Sequence, residues 1–142
     1  MKVKNKKAFF NYKLEPERVE AGISLTGGEA KALRTGRFDF SNAHARILDG
    51  EIYLVNVNIP IEGKKDYNPT RSRKLLLHRK EIVFLETKMK QRKLTLVPIS
   101  LYTKRRLVKV ELALGKGKRK FEKRQTIKKR DINREIEKEM KA

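Results

Sequence analysis

In "HARILDGEIYLVNVNI", residues 44–59, apolar and polar side chains alternate on both sides of Asp49-Gly50. A period of two marks a strand, and Asp-Gly supplies the positive φ angles of a tight type I′ turn, so the stretch predicts a β-hairpin. "LTLVPISLYTKRRLVKVELAL" predicts two more strands around a charged turn at Lys104 to Arg106. In the second of these Val108, Val110, Leu112 and Leu114 face one way and Lys109 and Glu111 the other, which gives the sheet a polar outer face. Pro98 lacks a backbone donor and marks an edge or a bulge. "FFNYKLE" also alternates, with Phe10, Tyr12 and Leu14 on one face and Phe9, Asn11 and Lys13 on the other; it predicts a strand that Pro16 ends.

Two stretches follow the helical period instead. "SLTGGEAKALR" offers Ser24 or Thr26 as an N-cap, Ala30 and Leu33 at helical spacing, and Gly36 just beyond the end. In "RKEIVFLETKMKQR" Ile82, Leu85 and Met89 recur between charges, which predicts a second helix packed on the sheet. Residues 60–73, "PIEGKKDYNPTRSR", hold turn formers and little periodicity and predict a long exposed loop, its Lys64, Lys65, Arg71 and Arg73 either solvated or set against phosphate. Five or six antiparallel strands with two inserted helices fit a mainly β fold, a small antiparallel barrel of the oligonucleotide-binding type.

Charge changes the picture from fold to partner. The chain has 142 residues and carries 37 Lys plus Arg against 17 Asp plus Glu, a formal charge of +20, far beyond what solubility needs. A polyanion is the expected partner. The chain contains no cysteine, which excludes disulfides, thiol catalysis and thiolate metal sites; His44 and His78 stand apart, so no metal is expected. No apolar run approaches the eighteen or so residues that span a bilayer, and the expected location is the cytoplasm, without membrane contact. There is no phosphate loop, nucleophile elbow or paired-histidine motif, so neither a catalytic residue nor a cofactor is expected and the protein reads as no enzyme.

The positive charge is concentrated. Lys2, Lys4, Lys6 and Lys7 form a basic arm within residues 1–8. Residues 115–130 hold nine Lys or Arg against one acid, Glu122, with too few apolar side chains to offset the entropy of ordering them. The chain therefore divides into a barrel over residues 1–118 and a basic tail over 119–142, disordered when free. Ile132, Ile136 and Met140 are four apart, and Asp131 stands near a possible helix start, so the tail either becomes helical against nucleic-acid phosphates or remains a solvated basic extension.

Five blocks in order, "NKKAFFNYKLE", "EAGISLTGGEAKALRTG", "NPTRSRKLLLHRKEI", "TLVPISLYTKRRLVKVELALGKGK" and "EKRQTIKKRD", resemble SmpB, the small protein B family that binds transfer-messenger RNA (tmRNA) in bacteria; the resemblance covers nearly the whole chain. It implies a non-enzymatic adaptor of trans-translation. Such a protein grips the tRNA-like domain of tmRNA, accompanies it to stalled ribosomes, and places its tail in the empty mRNA channel near the 16S rRNA decoding centre. Elongation factor Tu and alanyl-tRNA synthetase are implied as indirect partners and a monomer as the working form. Carried across by motif, Glu20, Leu76, His78 and Lys109 correspond to the RNA-binding face, joined by Asn5 and by Lys116, Lys118 and Arg119 at the barrel's exit. Phe121, Glu122, Lys123, Arg124, Ile127, Lys128 and Arg130 correspond to the ribosome-contacting tail. Glu122 replaces the family's usual Asp, Phe121 stands where His or Tyr is frequent, His78 where Asn also occurs, and Lys93 where a Gly commonly precedes a strand. A permanent ribosomal protein would share the size, charge and tail, and is the alternative reading.

Overall fold

The computed structural model describes residues 2–141; Met1 and Ala142, which the sequence reading assigns to the arm and the tail, lie outside them. In chain order the elements are β1 (Lys2–Lys4), α1 (Lys6–Asn11), β2 (Tyr12–Ile23), α2 (Gly27–Arg34), β3 (His44–Leu48), β4 (Glu51–Val55), β5 (Arg73–Leu76), α3 (Arg79–Arg92), β6 (Thr95–Lys104), β7 (Leu107–Gly117) and α4 (Lys120–Lys141). All strand pairings are antiparallel. The order β1-β6-β3-β4-β5-β2-β7, together with a β6–β7 pairing, closes six strands into a ring with β1 added at β6. This is the oligonucleotide-binding-like architecture expected from the strand pattern. Its interior is lined by Ile52, Leu54, Leu75, Leu96, Leu101, Val110 and Leu112, joined by Leu33 of α2 and by Ile82 and Leu85 of α3.

Local signals hold where expected. Asp49 and Gly50 adopt φ 51° and 76° between β3 and β4. Thr26 caps α2 in a reciprocal capping box with Glu29, and Lys93 takes the left-handed C-cap position of α3 that glycine usually fills. Arg105 and Arg106, both at positive φ, make the charged turn between β6 and β7, and Arg34 Nη2 donates to the Arg106 carbonyl at 2.7 Å. The sheet register shifts between Pro98 and Ser100, the irregularity that Pro98 signals.

Three expectations are corrected. Phe9, Phe10 and Asn11 lie in α1, and no strand begins at Phe9. Asn5 starts that helix: its Oδ1 accepts from Ala8 N–H at 3.2 Å while its Nδ2 donates to the carbonyls of Phe40 and Pro98. Ala8 then packs on Val97, Ile99 and Ala113, so α1 covers one end of the sheet's outer face, which is polar only around Lys109 and Glu111. Nor does Pro16 end β2: the strand runs through it, with a register shift between Leu14 and Arg18 that absorbs the missing donor. Where β2 rejoins β7, an added Cβ at Gly115 would lie 2.9 Å from Leu14 Cδ2 and 3.1 Å from Tyr12 Cβ. Gly115→Ala is therefore expected to cost roughly 1–3 kcal/mol in urea unfolding, because the Tyr12 Cβ cannot swing away.

The third correction concerns residues 60–73. Lys64 and Lys65 are exposed, but Arg73 is fully buried in β5, where it satisfies all five of its donors. Its Nε donates to Glu29 Oε2 at 2.8 Å, Nη1 to the carbonyls of Val57 and Arg71, and Nη2 to Tyr67 Oη and the Pro69 carbonyl. Arg71 pairs with the same carboxylate, to which Tyr67 Oη also donates at 2.9 Å. Burial opposes ionisation of Glu29 most, yet the Arg71, Thr26, Arg73 and Tyr67 donors outweigh it and hold its carboxyl down at about 2. The loop is thus pinned to the body by a buried ion cluster, in which Arg71 and Arg73 neutralise protein charge rather than RNA charge.

Candidate nucleic-acid interface

The strand register assembles a row of side chains on the outer face. Gly22 of β2 lies between Leu76 of β5 and Lys109 of β7. An added Cβ at Gly22 would already touch Leu76 Cδ1 at 3.4 Å, so this position forms the floor on which Leu76 rests. Leu76 is nonetheless 57% exposed. An open groove of about 520 Å³ gathers Glu20, Leu76, His78 and Lys109, with Lys74, Glu51 and Glu81 at its rim. Four residues scattered over ninety positions of sequence thus meet at one place.

Each has a defined posture. His78 is the N-cap residue of α3, and its backbone N–H donates to Glu81 Oε1 at 3.4 Å, leaving the ring exposed. Glu20 accepts a hydrogen bond from the Tyr102 hydroxyl and has Lys104 Nζ at 3.8 Å. The Tyr102 bond, then the nearby Lys104 and Lys109 charges, outweigh partial desolvation and lower the Glu20 carboxyl below its ordinary value. Desolvation and then Glu20 push the Tyr102 phenol upward, so it remains a hydrogen-bond donor at neutral pH. Lys109 is half-buried beside them with no carboxylate at ion-pair distance among the described residues. The groove offers an apolar platform, a cation outside any direct ion pair and a fixed carboxylate acceptor. This combination suits an exposed base or ribose beside a phosphate better than it suits a bare anion.

The other residues assigned to that face lie elsewhere. Asn5 is 2% exposed and its amide is fully used inside the fold, so direct RNA contact there is corrected to a structural role. Lys116 pairs with Lys13 at the far end of β7, roughly 24 Å from Lys109 at ~3.4 Å per residue. Lys118 caps α1: its backbone N–H donates to the Asn11 carbonyl at 2.8 Å, and its Nζ to the Phe9 carbonyl at 3.3 Å and to Thr126 Oγ1 at 3.0 Å. Arg119 is exposed and accepts from Lys123 N–H through its carbonyl. These four form no part of the groove. Tyr102 is the residue that sequence reasoning missed. Only its pairing opposite Lys109 gives it away.

The tail is one helix in the structure, beginning at Lys120, and the four-residue spacing of Ile132 and Ile136 lies within it. Its contacts with the body fall on one strip: Thr126 meets Lys118, and the Arg130 guanidinium lies 5.4 Å from the Phe10 ring centroid. At 100° per residue Phe121 and Ile132 fall on the opposite side and Ile136 on the flank, and they are 69%, 55% and 48% exposed. Glu122, Arg124, Ile127 and Lys128 are exposed as well, and Lys123 is half-buried. The side chain of Met140 lies outside the described residues. No helix among the described residues is long and apolar enough to cross a membrane.

The ring and its mixed apolar and cationic groove define a small basic protein of the oligonucleotide-binding-like class, with a site shaped for a folded polyanion. The family model described as SmpB protein matches residues 2–142. The chain is 49% identical to an SsrA-binding protein of Dehalococcoides mccartyi over 140 residues, covering 96% of this chain and 81% of that one. It is also 49% identical to an SsrA-binding protein of Sulfurihydrogenibium over 141 residues, covering 97% and 92% of the two chains. A solved chain described by the words "tmRNA-SmpB: a journey to the center of the bacterial ribosome" superposes with a TM-score of 0.68 at 41% identity, over 89% of this chain and 94% of that one. The chain belongs to the SmpB family.

Proposed function

We propose that this protein is an RNA-binding adaptor of trans-translation. Its ring binds the tRNA-like domain of tmRNA and delivers that RNA to stalled ribosomes, and its tail enters the empty mRNA channel near the 16S rRNA decoding centre in place of codon-anticodon pairing. The observation that carries this reading is the convergence of Glu20, Leu76, His78 and Lys109 on one groove in a member of the SmpB family. The relatives named SsrA-binding protein and the solved tmRNA-SmpB chain support the same partner. A permanent ribosomal protein would account for the charge but not for this likeness.

In this role the protein acts as a monomer in the cytoplasm and performs no catalysis. Elongation factor Tu and alanyl-tRNA synthetase act on the RNA it holds. Glu20, Leu76, His78 and Lys109 hold tmRNA. Lys116, Lys118 and Arg119 set the direction in which the tail leaves the ring, and Phe121, Glu122, Lys123, Arg124, Ile127, Lys128 and Arg130 contact the ribosome. Among the described side chains the helix meets the body at Thr126 and Arg130, and its net charge opposes order. The free tail therefore frays readily and is held as a helix once rRNA phosphates surround it.

Lys109→Ala is expected to weaken binding of a tRNA-like RNA transcript about tenfold and to reduce the slope of log affinity against log salt by about 0.7–0.9, the signature of one lost phosphate contact. Leu76→Ala should weaken binding while leaving that slope unchanged. Sequencing the RNA that co-purifies with the protein from cells tests the reading as a whole: tmRNA must be enriched, and its absence rejects the proposal.

A further inference from the structure

The outer face has a second groove, of about 400 Å³, lined by Lys2, Lys4, Phe9, Arg18, Ser100 and Glu111 among others. The sheet register ties it to the first. Lys2 of β1 lies opposite Tyr102, Tyr102 opposite Lys109, Lys109 opposite Gly22 and Gly22 opposite Leu76, a single row across five strands. At ~4.8 Å between strands its ends are roughly 19 Å apart. The next row runs through Lys4, Ser100, Glu111 and Glu20. The ridge between the two grooves is the Tyr102 hydroxyl bound to the Glu20 carboxylate.

Charge on the second groove is arranged to leave cations free. Glu111 is engaged by Ser100 Oγ at 3.2 Å and by Arg18 Nε at 3.8 Å. Lys2 Nζ stands 5.8 Å from the Tyr102 ring centroid and Lys4 Nζ 4.4 Å from that of Phe9. Neither is paired with a carboxylate among the described residues. An ammonium resting on an aromatic ring is held in place without losing its charge, whereas an ion-paired one is spent. Strand β1 itself is anchored, because its register on β6 is regular and Asn5, which follows it, is locked into the core. The N-terminal lysines are therefore presented by a strand and are not carried on a loose arm.

Resting on the reading that the ring binds a folded RNA, we infer that the interface continues across the Tyr102 ridge into this second groove, where Lys2 and Lys4 hold backbone phosphates of the same RNA. Two observations favour a polynucleotide. The row is continuous with the first groove, and its two unpaired cations, Lys2 at one end and Lys109 two strands away, stand roughly 10 Å apart at ~4.8 Å between strands, so they suit separate phosphates of one backbone.

The test uses the full chain with Lys2→Gln and Lys4→Gln together, measured against a tRNA-like RNA transcript between 50 and 200 mM salt. The expected result is a roughly tenfold loss of affinity with a salt slope lower by about 1–2, and a thermal melting midpoint lowered by no more than a few degrees, since both side chains are exposed and give up only a ring contact each. Lys90→Gln with Lys93→Gln, at the far end of α3, removes the same charge and should leave the slope intact. If the Lys2 and Lys4 variant keeps the wild-type slope, or if the α3 control loses as much, the second groove holds no phosphate. In either case the proposed function stands so long as the wild type binds and Lys109→Ala binds about tenfold more weakly. If the wild type itself shows no preference for tRNA-like RNA, both readings fall together.

Discussion

Removal of residues 119–142 is expected to leave binding of the tRNA-like RNA within about tenfold of the full chain and to abolish peptide tagging at stalled ribosomes. The ring closes without α4. The last rungs of β7 pair Lys116 with Lys13 and Gly117 with Tyr12, and Lys118 caps α1, so the cut must fall beyond Lys118 if the body is to stay intact. The tolerated loss is the non-specific attraction of the tail's surplus cations. Filter binding reads the first quantity, and tagging in a reconstituted translation reaction on a transcript without a stop codon reads the second. A truncated chain that no longer binds RNA would overturn the division of labour between ring and tail, and one that still supports tagging would remove the tail from the mechanism.

Arg73→Met carries the second large effect. The substitution leaves the Glu29 carboxylate buried with only Arg71, Tyr67 and Thr26 as donors, and removing one partner of a buried ion pair costs about 3–5 kcal/mol. For a domain of this size that lowers the melting midpoint by on the order of 10 °C or more. Replacing both partners, Glu29→Leu with Arg73→Met, should recover part of the loss, because no fully buried charge is left unpaired and Arg71, 36% exposed, can turn to solvent; calorimetry on the single and double variants measures this coupling. The pH dependence follows from the same group. The Glu29 carboxyl is lowered from 4.5 to about 2 in the folded protein, so its contribution is complete above about pH 4.5 and is lost as pH falls from there through about 2. That contribution is about 3 kcal/mol at neutral pH. Glu29→Gln should flatten the stability profile in that acid window while lowering stability above it, and an unchanged acid limb would show that the cluster is not what titrates.

The groove around Leu76 and Lys109 was more legible than the cluster that pins the 60–73 loop. Glu20, Leu76, His78 and Lys109 could be placed by their resemblance to family blocks, and the outward direction of Lys109 by alternation alone. Nothing near Arg73 in sequence distinguishes it from Lys64, Lys65 or Arg71, and composition treats all four as loop cations. Arg73 is buried because its partner, Glu29, sits 44 residues away at the start of α2. The same applies to Asn5, whose block suggested a surface role while its amide reaches the carbonyls of Phe40 and Pro98, 35 and 93 residues distant.

What the sequence determined by itself are the features decided within a few residues: the Asp49-Gly50 hairpin, the Thr26 capping box, the α3 period, the paired strands around Lys104 to Arg106, and the concentration of charge after Leu114. Turn geometry, capping and alternation are properties of a local stretch and survive in any context. Tertiary structure alone decided that "FFN" is helix rather than strand, that the ring closes through β6 and β7, that Phe121 and Ile132 of the tail face away from the body, and that Lys2, Tyr102, Lys109 and Leu76 share one row. Each of these depends on a partner far along the chain, and only closure of the sheet supplies it.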